Sequence, residues 1–151
     1  MPHTARRTSV AARRFGYIVA AAINVALLFI INIWPSWREL SFVTAEASQV
    51  VGLLNLSLVV GVVVNLAFVV VDSPWLKVIG DLTTTGVGLV VLVQVFRVFP
   101  FDFESYSINW ALVARLAIVA AIVGSVIGLL VQLGSLIRLA LDDAPDEALH
   151  R

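Results

Sequence analysis

The sequence predicts an all-α membrane protein, a four-transmembrane-helix antiparallel bundle with both termini cytoplasmic. Three observations carry this prediction: the composition, the length of the apolar runs, and the position of proline and charge around them. Of 151 residues, 60% are hydrophobic and 13% charged, whereas a soluble domain is about 45–50% apolar and about 25% charged. Crossing a bilayer takes about 20 helical residues, and three charge-free runs exceed that length: 15–37, 47–71 and 116–137.

Proline and charge set the helix boundaries. The fourth apolar run, 82–96, lies between Asp81 and Arg97 and can span the membrane if both charges lie at headgroup level. Proline disfavours helix in the residue before it and favours the first helical turn, so Pro35 and Pro100 end helices and Ser73-Pro74 begins one. The predicted helices are 15–34, 46–71, 74–99 and 110–139, within a transmembrane domain over 15–139. A basic cytoplasmic segment, 1–14, precedes this domain, and an acidic cytoplasmic tail, 140–151, follows it.

The basic residues predict the orientation, because Lys and Arg are enriched on the cytoplasmic side of membrane proteins. With four spans, both termini share a side. That side holds most of the ten basic residues, namely Arg6, Arg7, Arg13, Arg14, Lys77, Arg138 and Arg151. The four Trp residues all fall at predicted interfaces, as is usual for membrane helices. We therefore expect a multi-pass protein of the cytoplasmic (plasma) membrane.

Composition also excludes several functions. The net charge is zero, so no basic surplus drives nucleic-acid binding. The chain has no Cys, and its two His residues, His3 and His150, lie near its ends, which removes thiol chemistry and an intramembrane His ligand or proton relay. No ionisable side chain lies at the middle of a predicted span. We therefore expect no enzyme activity, no cofactor and no metal site.

Small residues predict how the helices pack. In lipid, small side chains let backbones approach closely, and van der Waals contact replaces the missing hydrophobic drive. The predicted packing residues are Gly80 and Gly88 on the third helix, and Ala120, Gly124 and Gly128 on the fourth. The pair Gly124 and Gly128 also fits contact with a second subunit.

Uncharged polar residues inside the spans have two interpretations. Asn24, Asn55, Asn65 and Thr84 form a candidate intramembrane line, which would be a polar path for an ion or small solute. Alternatively, such residues only hold helices together by hydrogen bonds, which average about 0.6 kcal/mol. The second interpretation is favoured, because no charge accompanies the polar residues.

The loop between the third and fourth helices gathers charge and aromatic residues on the predicted outer face. Arg97 and Arg115 flank this loop, which carries Asp102 and Glu104. We expect at least one of the two Arg residues to form an ion pair with one of these acids, since two unpaired Arg residues at similar depth repel each other. Such a face fits a docking surface or a vestibule for a cation or lipid headgroup. The favoured interpretation is an aromatic belt with snorkelling Arg residues and local ion pairs.

Three segments carry a resemblance to known proteins. They are Asn32-Ile33-Trp34-Pro35-Ser36-Trp37, Asp72-Ser73-Pro74-Trp75-Leu76-Lys77 and Val98-Phe99-Pro100-Phe101-Asp102-Phe103. Over 15–139 the chain resembles small four-span integral membrane proteins of actinobacteria. The resemblance implies a helical membrane protein and implies no activity or functional residue.

The function expected from the sequence is that of a non-enzymatic structural or accessory subunit. Its expected partners are the lipid bilayer and either a second copy of the chain or another membrane protein. The alternative is a small oligomeric channel or transporter for an ion or small solute, with the Asn and Thr line as its path.

Overall fold

The computed structural model describes residues 10–104 and 108–142. Four helices, each long and apolar enough to cross a membrane, follow one another in this part of the chain. They are α1 (Val10–Asn32), α2 (Ser48–Val70), α3 (Pro74–Val98) and α4 (Trp110–Asp142). Two short 3-10 turns, Trp37–Glu39 and Ala45–Ala47, lie between α1 and α2. The expectation of an all-helical chain with four candidate spans is confirmed for the described residues.

Two helix ends agree closely with the sequence prediction. Helix α3 begins at Pro74, after the extended Ser73, although the Ser73 hydroxyl makes no capping hydrogen bond. It ends at Val98, where Phe99 adopts a left-handed backbone with φ 43° and its N–H donates to the Val95 carbonyl over 2.8 Å. Pro100 follows directly and cannot continue the helix.

Four other boundaries differ from the prediction by two or more residues, and one of them is the end of α1, at Asn32 instead of 34. Helix α1 begins at Val10 instead of 15, and α4 continues to Asp142 instead of ending at 139. A helix can continue beyond its apolar run, because the polar side chains of the added turns lie in the headgroup region or in water. Helix α2 begins at Ser48, because the first residues predicted for it form the 3-10 turn Ala45–Ala47. Parts of the predicted basic segment and acidic tail, 1–9 and 143–151, lie outside the described residues.

The four helices pack as an open bundle, in chain order. Helix α1 contacts α2, α2 contacts α3, and α3 contacts α4, whereas within the described residues α1 and α4 share no extended contact. Helices α2 and α3 therefore have two neighbours each, and α2 contributes more buried side chains than any other helix, namely Val50, Leu58 and Phe68. Helix α4 has no buried residue. The bundle leaves one side of α4 and one side of α1 uncovered.

Helix α2 approaches both neighbours closely at glycines. A β-carbon built on Gly61 of α2 would lie 2.9 Å from Oδ1 of Asn24 on α1. A β-carbon on Gly80 of α3 would lie 2.6 Å from Cζ of Phe68 and 2.8 Å from Cγ1 of Val64, both on α2. Only glycine fits either position without movement of a neighbour, so these two contacts set the distance between α2 and its neighbours.

The five predicted packing residues separate into two groups. Gly80 lies in the contact between α2 and α3, and Gly128 would place a β-carbon 3.9 Å from Cγ2 of Thr85 on α3. A β-carbon on Gly88 or Gly124 would have no atom within 4 Å, and Ala120 is exposed. The small-residue line on α4 is therefore mostly uncovered in the single chain, because α4 turns a different face toward α3.

Two of the connections, the one between α1 and α2 and the segment that follows α3, meet at one end of the molecule, which we call the loop end. The α1–α2 connection and the segment after α3 form a backbone clasp: Thr44 N–H donates to the Pro100 carbonyl over 3.1 Å, and Asp102 N–H donates to the Phe42 carbonyl over 2.9 Å. An isolated antiparallel bridge joins Val43 and Phe101. This clasp ties the α1–α2 pair to α3 at the loop end. We call the opposite end, with the α2–α3 connection, the terminal end.

The close approach at Gly80 generates a matched pair of substitutions. Gly80→Ala forces a methyl group against Phe68 and Val64, and overpacking of this kind costs about 1–3 kcal/mol. We expect it to lower the midpoint of thermal unfolding in detergent by several degrees. Gly88→Ala on the same helix should leave the midpoint unchanged or raise it slightly, since alanine favours helix. Equal midpoints for both variants would contradict the packing of α3 on α2.

Candidate functional site

The candidate intramembrane polar line is not continuous. Asn24 donates to the Ala20 carbonyl over 2.8 Å, Asn65 to the Gly61 carbonyl over 2.7 Å, and Thr84 to the Gly80 carbonyl over 3.0 Å. Each of these bonds runs back four residues along the same helix, so the side-chain donor finds its acceptor on its own backbone. Asn55 alone of the four bonds to a neighbouring helix. The arrangement is that of separate polar residues rather than a shared path.

Asn55 forms a reciprocal amide pair with Asn32 across α1 and α2. Asn32 Nδ2 donates to Asn55 Oδ1 over 2.9 Å, and Asn55 Nδ2 donates to Asn32 Oδ1 over 2.8 Å. Asn32 Nδ2 also donates to the Leu28 carbonyl over 2.8 Å. Sequence reasoning did not pair these residues, although both stand among the polar residues of adjacent spans.

A second interhelical hydrogen bond, which sequence reasoning also missed, links α3 and α4. Gln132 Nε2 donates to Thr85 Oγ1 over 3.0 Å, and Thr85 Oγ1 donates in turn to the Asp81 carbonyl over 2.7 Å. The other end of the same amide, Gln132 Oε1, is buried and has no partner among the described residues. Gln132 is thus half satisfied at the point where α4 meets α3.

A cleft of about 460 Å³ lies beside this bond, between α2, α3 and α4. Hydroxyl-bearing residues from the three helices line it, together with Gly88 and apolar side chains: Ser57, Thr84, Thr85 and Ser125. The hydroxyls of Thr84 and Thr85 already donate to backbone carbonyls of α3. The cleft brings hydroxyl-bearing residues of three helices together.

Two ion pairs form at the terminal end. Arg13 contacts Asp72 over 2.8 Å, and Lys77 contacts Asp81 over 3.1 Å. The Lys77 ammonium also lies 5.4 Å from the ring centre of Phe68 and 5.7 Å from that of Tyr17. Because Phe68 packs against Gly80, this cluster joins the ends of α1, α2 and α3 in one contact.

Aromatic rings form a continuous series at the loop end. Phe42 stacks on Phe103 with 6.0 Å between ring centres, and Phe103 stacks on Phe101 with 5.9 Å. Phe101 and Phe99 form a T-shaped pair with 5.6 Å between ring centres. The Arg115 guanidinium lies 4.2 Å from the ring centre of Phe99 and so ends the series. A cation over an aromatic face gains about 0.5–1 kcal/mol at an exposed site.

The expected ion pairs of Arg97 or Arg115 with Asp102 or Glu104 are not formed. The two ion pairs found within residues 10–104 and 108–142 are those of the terminal end. Arg115 lies over Phe99 instead, because the left-handed cap at Phe99 brings that ring to the first turns of α4. Asp102 accepts a hydrogen bond from the Glu104 N–H over 3.0 Å and remains in the loop.

The described residues contain no group of three His, Cys, Asp or Glu side chains placed to hold a metal ion. Helix α4 is capped by Asn109, whose Oδ1 accepts from the Leu112 N–H over 3.0 Å. The features that remain are the Asn32–Asn55 amide pair, the Gln132–Thr85 hydrogen bond, the cleft between α2, α3 and α4, the charged residues at each end and the uncovered side of α4.

A double-mutant cycle tests the amide pair. Asn32→Leu and Asn55→Leu should each lower thermal stability in detergent, and the cycle should give a coupling of about 0.6 to about 1.7 kcal/mol, the range for interhelical hydrogen bonds in membranes. Asn32→Leu combined with Thr83→Val is the control, since Thr83 bonds to its own helix at Ile79. The stability changes caused by substitutions at distant sites are additive, so the control cycle should show no coupling. The same coupling in both cycles would contradict the Asn32–Asn55 contact.

No family model matches the chain, and neither a curated protein nor a solved structure is significantly similar to it. Its function must follow from its own residues.

Proposed function

We propose that the chain is a multi-pass protein of the cytoplasmic membrane that serves as a non-enzymatic structural or accessory subunit. Its partner would be a transmembrane helix of another membrane protein or of a second copy. Four helices suited to crossing a membrane support the membrane assignment. The proposal also includes kinship with the small four-span proteins of actinobacteria that the chain resembles.

The proposed arrangement has adjacent helices antiparallel and both termini in the cytoplasm. Two contacts between α1 and α2 support the antiparallel part: Arg13 near the start of α1 meets Asp72 after the end of α2, and Asn32 at the end of α1 meets Asn55. The orientation rests on the positive-inside rule, because Arg13, Arg14, Lys77 and Arg138 belong to the side proposed to be cytoplasmic.

The open face of α4 is the observation that carries the accessory role. Helix α4 is 33 residues long, has no buried residue, and makes its extended contact with α3. Beside that contact it exposes small residues along one flank: Ala117, Ala120, Ala121 and Gly124. Lipid chains gain little from such a surface, whereas another helix can approach it closely and gain van der Waals contact. A face of this kind fits a helix–helix interface.

A small oligomeric channel or transporter is the second candidate, and the cleft lined by Ser57, Thr84, Thr85 and Ser125 is the observation that favours it. Against it, Asn24, Asn65 and Thr84 of the predicted polar line bond within their own helices, and the described spans bring no ion pair to their middle. Transport predicts ion flux through vesicles that contain the pure protein, above the flux of protein-free vesicles. The accessory role predicts none.

Photo-crosslinking in native membranes tests the accessory role. A photoreactive residue placed at Ala120 or Gly124 should give a discrete protein adduct, either a dimer or a heteromer. Val126, 43% exposed and two residues after Gly124, hence nearly opposite to it on a helix of 3.6 residues per turn, is the control and should cross-link to lipid only. Gly124→Leu should abolish the adduct from Ala120 without lowering the stability of the isolated chain, since nothing lies within 4 Å of a β-carbon there. Lipid adducts alone at all three positions would contradict the proposal.

A further inference from the structure

Unpaired charges of both signs lie at the loop end. Within the described residues no carboxylate comes within ion-pair distance of Arg97 or Arg115, and no cationic side chain does so for Asp102 or Glu104; the ion pairs found all belong to the terminal end. Asp102 Oδ1 accepts one backbone N–H, which leaves its other oxygen and the Glu104 carboxylate open. Hydrogen bonds between oppositely charged groups are stronger than those between neutral groups. The two Arg side chains and the two carboxylates are therefore available to bind a ligand that carries both signs of charge.

The two carboxylates line a cleft, and aromatic rings form its walls. Its volume is about 630 Å³, and Phe101, Phe103 and Trp110 line it together with Asp102 and Glu104. The ring series holds Phe101 and Phe103 nearly parallel, at 18°. Carboxylates beside aromatic faces are the combination that binds an ammonium group, because the rings add cation–π attraction to the ion pair.

The order of charges along the membrane normal is the informative feature. Arg97 lies in the last turn of α3, and Arg115 lies five residues into α4, about 7–8 Å from its first residue at 1.5 Å per residue. Both cations therefore belong to the ends of the spans, whereas Asp102 and Glu104 lie in the loop beyond them. From the hydrocarbon outward, the sequence of charges is cation and then carboxylate.

An amine-bearing phospholipid has the complementary order, since its phosphate lies next to the glycerol and its ammonium lies farther out. The Arg115 guanidinium is connected to the cleft through two rings, Phe99 and Phe101. A headgroup lying along this series would place its phosphate at Arg115 and its ammonium between the two acids. A ligand with phosphate alone would leave the carboxylates without a partner.

We propose that the loop-end cleft binds the headgroup of a phospholipid that carries an amine, as phosphatidylethanolamine does. The phosphate pairs with Arg115, and the ammonium lies between Asp102, Glu104 and the aromatic walls. This binding is independent of the accessory role, because it uses the loop end and not the open face of α4.

Lipid titration of the full chain in maltoside detergent, followed by native mass spectrometry, tests the site. Phosphatidylethanolamine should be retained in preference to phosphatidylglycerol of the same acyl composition. The double variant Asp102→Asn, Glu104→Gln should bind phosphatidylethanolamine about tenfold more weakly, as expected for the loss of two ion pairs near a surface, each worth up to about 1 kcal/mol. Arg115→Gln should weaken both lipids, because both carry phosphate.

Glu39→Gln is the matched control, since Glu39 is exposed at the same end and does not line the cleft. It should bind both lipids as the natural sequence does, and all variants should keep the same thermal midpoint before lipid is added. Equal retention of the two lipids, or unchanged binding by the double variant, would overturn the proposal. Displacement of the lipid by equimolar free ethanolamine or by calcium would also overturn it, in favour of a soluble amine or a metal ion.

Discussion

The close approach of α2 to its two neighbours is the constraint on which the rest of the structure depends. Helices in lipid gain no hydrophobic free energy from contact with each other, so they must gain van der Waals contact. Gly61 admits Asn24 from α1, and Gly80 admits Phe68 and Val64 of α2. The same Phe68 lies against Tyr17 at 5.1 Å between ring centres. One aromatic side chain thus links α1, α2 and α3 near the terminal end, while the clasp of Thr44 and Asp102 holds the loop end.

The need to satisfy polar groups explains why most residues of the predicted polar line bond within their own helices. No water is present in the hydrocarbon region to receive a free N–H or O–H, so a polar side chain there must find an internal partner. Asn24, Asn65 and Thr84 find theirs one helical turn back along the backbone. Charged side chains concentrate at the two ends instead.

Much of the architecture could be predicted from the sequence, because the span length and the rule for proline are strong constraints. The limits of α3 at Pro74 and before Pro100 followed directly from them. Partner choice could not be predicted: an Asn in a span can bond its own carbonyl or a neighbour, and residue spacing is the same in both cases. Glycine has the same ambiguity, since Gly80 and Gly88 share a helix face while only Gly80 meets an atom of α2. The ion pair expected of Arg115 does not form, and the Arg115 guanidinium lies over the ring of Phe99 instead.

The central claim is that α2 and α3 hold an open bundle whose edges, α1 and α4, do not close on each other. Disulfide cross-linking in membranes tests it directly, because the chain contains no Cys and a disulfide needs Cα atoms less than about 7 Å apart. Oxidation should cross-link Asn24→Cys with Gly61→Cys between α1 and α2. It should fail for Ile23→Cys paired with a cysteine placed at successive positions of α4 from 123 to 130. Efficient formation of an intramolecular α1–α4 disulfide would show a closed bundle and contradict the account.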